Sequence, residues 1–304
     1  MDVFQAALEQ AQQQYKAAAA IGYESRPLNL FYGLSQAGRA LAAISPKLRG
    51  NHPEGAQKNW ESSGHGVGFQ LGQLSTPFWD REIEVLPNRR DSFSRASIAV
   101  GSTYVDVGRV TLGSLVAQLP ESLPLRERLE RWDSYMKVNF TSRTDGRLLA
   151  FDIGRGVDSI SAIQAKIDRY PLLRGWSLYL DREGQPRRPS ETSVYLDVPE
   201  GSVDATGYVN KLRGASTYAG NQVILPVAGQ AESVIEPIMA WWLILFDFSM
   251  LARYEPRAWT NALHIGRSEV ASQVEFLLDA ALIAVPELLA EQLERLTAND
   301  ESDG

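Results

Sequence analysis

Two side chains near the C-terminus have the types needed to cleave a phosphodiester without a metal ion. Arg257 and His264 are separated by six residues. A histidine can accept the proton of a 2′-hydroxyl, and an arginine can hold the neighbouring phosphate through two parallel hydrogen bonds. The pair is therefore a candidate for RNA cleavage. The alternative interpretation is that both are surface residues, with His264 near a helix end where its positive charge is favourable.

The spacing of this pair resembles the Arg-x4–6-His element of HEPN-type RNases, which are helical and need no metal. Two neighbours depart from that pattern. Ala258 stands where a polar residue is usual, and Pro256 places Arg257 at the start of a helix. The resemblance implies a metal-independent RNase, acting in stress or phage defence.

A second candidate is His65, which lies between Gly64 and Gly66 in a polar, glycine-rich stretch. Glycines allow positive φ angles or a close approach of the backbone to a ligand. A histidine in such a loop can act as a general base or contact a phosphate. The alternative is an ordinary turn in which the imidazole is hydrogen-bonded within the protein.

Two charged residues stand in otherwise apolar helical sequences. Arg39 lies in QAGRALAA, and Asp247 lies in WWLILFDFSML. An unpaired buried charge is very costly, so each is expected to have a partner. The two could pair with each other, or Asp247 could meet Arg253 or a backbone donor. A polar network of this kind could be purely structural, or it could form a ligand pocket within a helical bundle. The predicted ligand-binding residues are Gly64, His65, Gly66, Asn29, Tyr32, Arg39, Asp247 and Arg253.

The composition of the 304-residue chain excludes several kinds of site. It has no Cys and three His, which rules out thiol nucleophiles and Cys-ligated zinc or iron–sulfur centres, so we predict no metal and no cofactor. The formal net charge of −7 argues against broad non-specific DNA binding. The N-terminus has no basic start and no apolar core of a signal peptide, so we expect a cytoplasmic protein. The apolar run 238–251 is shorter than the ~20 residues that span a bilayer, and no membrane association is expected.

Hydrophobic periodicity predicts the elements that must position these residues. Helices are expected over 2–21, 27–46 and 234–254, over a short segment from 255, and over 268–296, where Pro286 should introduce a kink. Ser233 and Glu236 have the spacing of a capping box. The stretches REIEVLP, RASIAVG and TYVDVGRVT (81–111) alternate like strands, and 111–117 and 125–132 are expected to be short helices. Further strands are expected within 134–142, 146–154, 175–184, 193–199 and 221–229, with one helix over 159–168.

The order of helices, strands and helices predicts an α+β fold. The apolar faces of the first and last helices are too large to remain exposed, so the two ends should form one bundle. The predicted divisions are an N-terminal helical hairpin (1–47), a β-rich middle region (48–230), C-terminal helices that complete the bundle (231–297) and an acidic tail (298–304).

Several strings resemble the YaaC-like proteins of bacteria. They are PLNLFYGLSQAGRAL (27–41) followed by GHG (64–66), VTLGSLVAQLPE (110–121), and FSMLARYEPRAW (248–259) followed by VPELL (285–289). The resemblance touches both helical ends and the start of the middle region. It implies a bacterial cytoplasmic protein and no particular activity.

Two functions are compatible with these observations. The first is a non-catalytic binding or interaction module with a polar pocket near His65 and the 27–46 helix, because no complete catalytic set is legible. Its partner is unidentified, and could be another protein or a second copy of the chain. The second is the HEPN-like RNase that uses Arg257 and His264, and RNA is a partner only under this alternative.

Overall fold

The computed structural model of the chain describes residues 3–48, 60–70, 76–86, 90–102, 108–140, 147–151, 153, 159–199, 207, 209–210, 212, 217–218, 221–228 and 234–302. The helices are α1 (Val3–Ala20), α2 (Arg26–Ile44), α3 (Ser92–Val100), α4 (Leu112–Ala117), α5 (Ile160–Ile167), α6 (Pro237–Tyr254), α7 (Pro256–Ala262) and α8 (Ala271–Ser302). The strands are β1 (Val67–Gly68), β2 (Glu82–Val85), β3 (Arg109–Thr111), β4 (Met136–Phe140), β5 (Arg147–Ala150), β6 (Ser177–Leu178), β7 (Val194–Asp197), β8 (Thr217–Tyr218) and β9 (Asn221–Ile224). Short 3-10 helices occur at Pro46–Leu48, Phe78–Asp80, Pro120–Leu125 and Pro171–Leu173. The predicted α+β class is confirmed.

The chain divides into two compact units. The first contains residues 1–117, 121–129 and 228–304, and the second contains 118–120 and 130–227. The sequence-based boundaries placed 48–117 with the β-rich middle, whereas the structure groups that segment with the helices. Its described residues include α3 and α4, which contact α2 and α6 respectively.

The first unit is organised around α2 and α6. Helix α2 contacts α1, α3, α6 and α8, and α6 is buried on all sides over most of its length. At the α2–α6 crossing, a Cβ added to Gly38 would lie 2.6 Å from Cζ3 of Trp242 and 3.1 Å from Cβ of Ala96. A glycine at this position therefore lets the indole pack directly on the backbone of α2. The predicted joining of the N- and C-terminal helices in one bundle is confirmed.

A small antiparallel sheet, in the order β1-β2-β3, belongs to the same unit. Val67 pairs with Val85, and Ile83 pairs with Val110. This sheet adjoins two of the residues discussed below. Strand β1 directly follows the 64–66 loop, and Arg81 directly precedes β2.

The second unit is built on an antiparallel sheet with the order β6-β7-β5-β4-β9-β8. Ser159 is the N-cap of helix α5, and its hydroxyl accepts a hydrogen bond from the Ala162 N–H at 3.2 Å. Inward-facing residues of the strands alternate with exposed ones, as in β4, where Met136 and Val138 are buried and Lys137 and Asn139 are exposed. This is the period of two expected for strands with one buried face.

The prediction of a strand at RASIAVG was wrong, because residues 92–100 form helix α3. Asp91 caps its first turn, and Gly101 ends it in the left-handed conformation with φ 76°. The buried Phe93, Ala96 and Ala99 recur every three residues, which is a helical and not a strand period.

Three further predictions at element ends differ from the structure. Residues 125–132 do not form a helix; a 3-10 segment ends at Leu125 and turns follow. Helix α6 has Glu236 at its N-cap, without a side-chain cap, so the predicted capping box is not formed; Ser233 itself lies outside the described residues. Helix α8 extends to Ser302, so residues 298–302, which were predicted to be a separate acidic tail, belong to the helix.

Among the described residues, none of the helices combines the length and apolar character required to cross a membrane.

Candidate functional site

One face of α2 carries the polar side chains of the candidate site. Tyr32, Ser35 and Arg39 are spaced by three and four residues, so they lie on the same side of the helix. Tyr32 and Arg39 are exposed and Ser35 is half-buried. The opposite side of α2 is buried through Leu34, Ala37 and Leu41, among others. The helix therefore presents a polar strip outward while its apolar face holds the bundle together.

A recess lies on this strip, between α2, α3 and the segment around residue 60. Its polar lining consists of two arginines, three serines and one tryptophan: Arg39, Arg95, Ser35, Ser62, Ser92 and Trp60. Its volume is about 10 Å³, roughly the room of one water molecule or one anion oxygen. Only the tip of a ligand can enter, and the remainder would lie over the surrounding surface.

The electrostatics of the recess are dominated by arginine. Burial lowers the pKa of the Arg95 guanidinium, the positive charge of Arg90 lowers it further, and the carboxylates of Glu61 and Asp91 oppose this shift. The carboxylate of Asp91 is buried and accepts hydrogen bonds from the backbone N–H and the hydroxyl of Ser94, each at 2.7 Å. Two arginines and three serines line this small space, and guanidinium and hydroxyl groups are hydrogen-bond donors suited to an oxyanion.

The Gly64-His65-Gly66 loop holds α3 in place. The carbonyl oxygens of Gly64 and His65 accept hydrogen bonds from the backbone N–H groups of Ser92 and Phe93, both at 3.2 Å. The Ser92 hydroxyl, which lines the recess, donates to the His65 carbonyl at 3.4 Å. Gly64 and Gly66 have φ angles of 81° and 75°. Of the two uses of glycine considered from the sequence, positive φ angles are the one seen at Gly64 and Gly66.

The imidazole of His65 lies beside an aromatic cluster rather than in the recess. Its centroid is 5.8 Å from that of Phe31 and 6.0 Å from that of Phe246, both of which are buried. His65 itself is exposed. Tyr32 of α2 and Arg253 of α6 also contact each other: the Arg253 guanidinium donates to the Tyr32 hydroxyl at 3.3 Å. Of the predicted residues, the structure therefore pairs Tyr32 with Arg253 and places His65 against Phe31, the sequence neighbour of Tyr32. Asn29 lies half-buried one turn earlier on α2.

The pairing predicted for Asp247 was wrong. Its carboxylate accepts two hydrogen bonds from Arg81, from Nε at 3.2 Å and from Nη2 at 3.1 Å. Both side chains are almost fully buried, with 6% and 3% exposure. Burial raises the pKa of the Asp247 carboxyl, and the Arg81 charge opposes that shift. Arg39 and Arg253 take no part in this pair, because both are exposed at the surface.

Arg257 and His264 lie on α7 and just beyond its end. Arg257 is in the first turn of α7, and His264 follows the last residue of the helix by two positions. Both residues are exposed. The helix is anchored by the buried Trp259, whose indole N–H donates to the Glu24 carbonyl at 3.1 Å. The RNase assignment stays a prediction.

Among the residues that the structure describes, no group of three or more His, Asp or Glu side chains is arranged to hold a metal ion. Sequence reasoning missed Arg81, Arg95 and Trp60. Arg95 was hidden by the incorrect strand assignment, although Asp91 followed by a run with helical period was a usable sign of a capped helix. Arg81 and Trp60 carry no local signal, because their roles depend on contacts with distant segments.

Comparison with known proteins gives a family and no activity. No curated protein and no solved structure matches the chain. The model of the YaaC-like protein family matches residues 2–293, nearly the whole sequence, and the predicted resemblance is confirmed. The chain belongs to the YaaC-like protein family.

Proposed function

We propose that this protein is a non-catalytic binding module and that the recess between α2 and α3 takes an oxyanion of its partner, such as a phosphate or a carboxylate. The observation that carries this proposal is that Arg39, Arg95 and three serines line a space that admits about one oxygen atom. Charged donors of this kind make short, strong hydrogen bonds to anions. The recess adjoins the His65 loop through Ser92, so it lies in the region where the sequence predicted a polar pocket.

Binding of inorganic phosphate, measured by isothermal titration calorimetry at low ionic strength, tests this function. We expect Arg39→Gln to weaken phosphate binding by about tenfold or more, because a charge-assisted hydrogen bond contributes about 1.5–3 kcal/mol. Arg267→Gln is a matched control, since Arg267 is also an exposed arginine of the helical unit but does not line the recess. Equal phosphate affinity in wild type and Arg39→Gln would refute the assignment.

The RNase alternative has one structural observation in its favour. Within the described part of the chain, the side chains of Arg257 and His264 are exposed and engaged in no hydrogen bond or ion pair, so both are available to a substrate. If this function is correct, wild-type protein should cleave RNA in EDTA, and His264→Ala should reduce the rate by about 10²-fold or more through loss of a general base. The absence of cleavage by the wild type would refute it.

A further inference from the structure

The oxyanion recess is one end of a longer strip on the first unit. Along α2, Arg39 lines the recess and Tyr32 lies two turns earlier on the same face, with Ser35 between them. Seven residues of helical rise place Tyr32 and Arg39 about 10 Å apart. Both side chains are exposed, so one extended ligand can contact both.

The Tyr32 end of the strip is aromatic and cationic. Tyr32 and Tyr254 are 41% and 49% exposed, which is high for such large rings. The Arg253 guanidinium joins them: it donates to the Tyr32 hydroxyl at 3.3 Å and lies 5.1 Å from the centroid of the Tyr254 ring. The exposed imidazole of His65 lies next to Phe31, the sequence neighbour of Tyr32. Planar groups could stack on this surface.

The recess end of the strip also combines charge with an aromatic ring. Trp60 lines the recess together with Arg39 and Arg95. Two carboxylates act on the positive charge of Arg95. Glu61 does so from the exposed surface, and Asp91 is buried, where it caps α3. Arginines and aromatic rings therefore alternate along the strip, from Trp60 and Arg39 to Tyr32 and Arg253.

We infer that the strip binds single-stranded nucleic acid, with a phosphate at the recess and a base stacked at Tyr32 and Arg253; this deepens the proposed function and rests on it. Proteins that bind single strands combine cationic side chains that follow the phosphates with aromatic side chains on which unpaired bases stack. In a duplex the bases are stacked on each other, so their faces are not available to Tyr32. The formal net charge of −7 also disfavours a broad duplex surface and leaves room for a local cationic strip.

Fluorescence anisotropy with a 5′-fluorescein-labelled 12-nucleotide RNA, in EDTA and at low salt, tests the inference. We expect Tyr32→Ala to weaken binding of this RNA by about 5–150-fold, because base–aromatic stacking contributes that much when the ring is removed. Tyr32→Phe keeps the ring and loses only the hydroxyl, so its affinity should remain near that of the wild type. Both variants should bind inorganic phosphate as the wild type does, which also shows that they are folded.

The outcomes separate this inference from the proposed function. If Arg39→Gln abolishes phosphate binding but Tyr32→Ala binds the RNA as well as the wild type does, the strip is refuted and the oxyanion site stands. If the wild type binds phosphate and not RNA, the ligand is not single-stranded nucleic acid. The same conclusion follows if it binds a duplex of the labelled 12-nucleotide RNA with its complement as tightly as the single strand. If the wild type binds neither phosphate nor RNA, both proposals fail.

Discussion

Replacement of Asp247 by leucine should reduce the free energy of unfolding by about 3–5 kcal/mol, the range measured when one partner of a buried ion pair is removed. The reason is that Arg81 would keep its charge, since a guanidinium does not lose its proton in proteins. Arg81 is almost fully buried and donates through Nε and Nη2 to Asp247. Chemical denaturation at pH 7, monitored by tryptophan fluorescence, measures the loss.

The reverse variant, Arg81→Met, should lose less free energy of unfolding than Asp247→Leu, and the size of its loss should depend on pH. Burial already raises the pKa of Asp247, and Arg81 lowers it, so removal of Arg81 should raise that pKa further. A carboxyl whose folded-state pKa lies above its unfolded-state pKa adds stability below the unfolded-state value, and this is lost as the pH rises through the folded-state value. The difference in stability between wild type and Arg81→Met should therefore shrink as the pH is lowered from 7 toward 4.

The double variant Arg81→Met/Asp247→Leu supplies the control. It leaves no buried charge behind, and replacement of a buried ion pair by apolar residues of similar volume is often neutral or stabilising. We expect it to be more stable than Asp247→Leu by at least 2 kcal/mol, a coupling that neighbouring residues commonly show. A double variant that loses the sum of the two single losses would show that the two residues stabilise the fold independently.

This ion pair illustrates what the sequence could and could not predict. A charge within WWLILFDFSML requires a partner, and that requirement follows from the cost of burying it. The identity of the partner does not, because Arg81 is 166 residues away and stands beside charged residues at the start of a strand, where exposure is the usual outcome. For Arg39, helical geometry alone predicts an exposed side chain. It lies two residues from both Ala37 and Leu41, about 200° around the helix from each, and so points away from the core.

The same distinction holds for the fold. Long amphipathic helices such as α2 and α8, and strands with alternating burial such as β4, follow from periodicity alone. Helix α3 could not be predicted in this way, because its nine residues have mostly small side chains and show only weak hydrophobic periodicity. Its N-cap and C-cap residues define it instead. The recess was not predictable in detail, since it needs Trp60 and α3 brought beside α2, and both placements depend on long-range contacts.

The glycines around His65 allow a matched pair of substitutions. A Cβ added to Gly66 would lie 1.9 Å from Oδ1 of Asp91, whereas a Cβ added to Gly64 would meet no atom within 4 Å. Both residues have positive φ angles, so alanine at either position carries a similar backbone cost of about 1–2 kcal/mol. Only Gly66→Ala also displaces the carboxylate that caps α3.

Gly66→Ala should therefore reduce the free energy of unfolding by about 1–2 kcal/mol more than Gly64→Ala, which is the contribution of a side-chain N-cap. Because α3 carries Ser92 and Arg95, Gly66→Ala should also weaken phosphate binding, while Gly64→Ala should leave it near the wild-type value. Urea denaturation and phosphate titration of the two variants measure both effects. If Gly66→Ala and Gly64→Ala are equally stable, the Asp91 side chain can move away from the added Cβ at no cost in free energy. The Asp91 cap of α3 would then not couple the His65 loop to the recess.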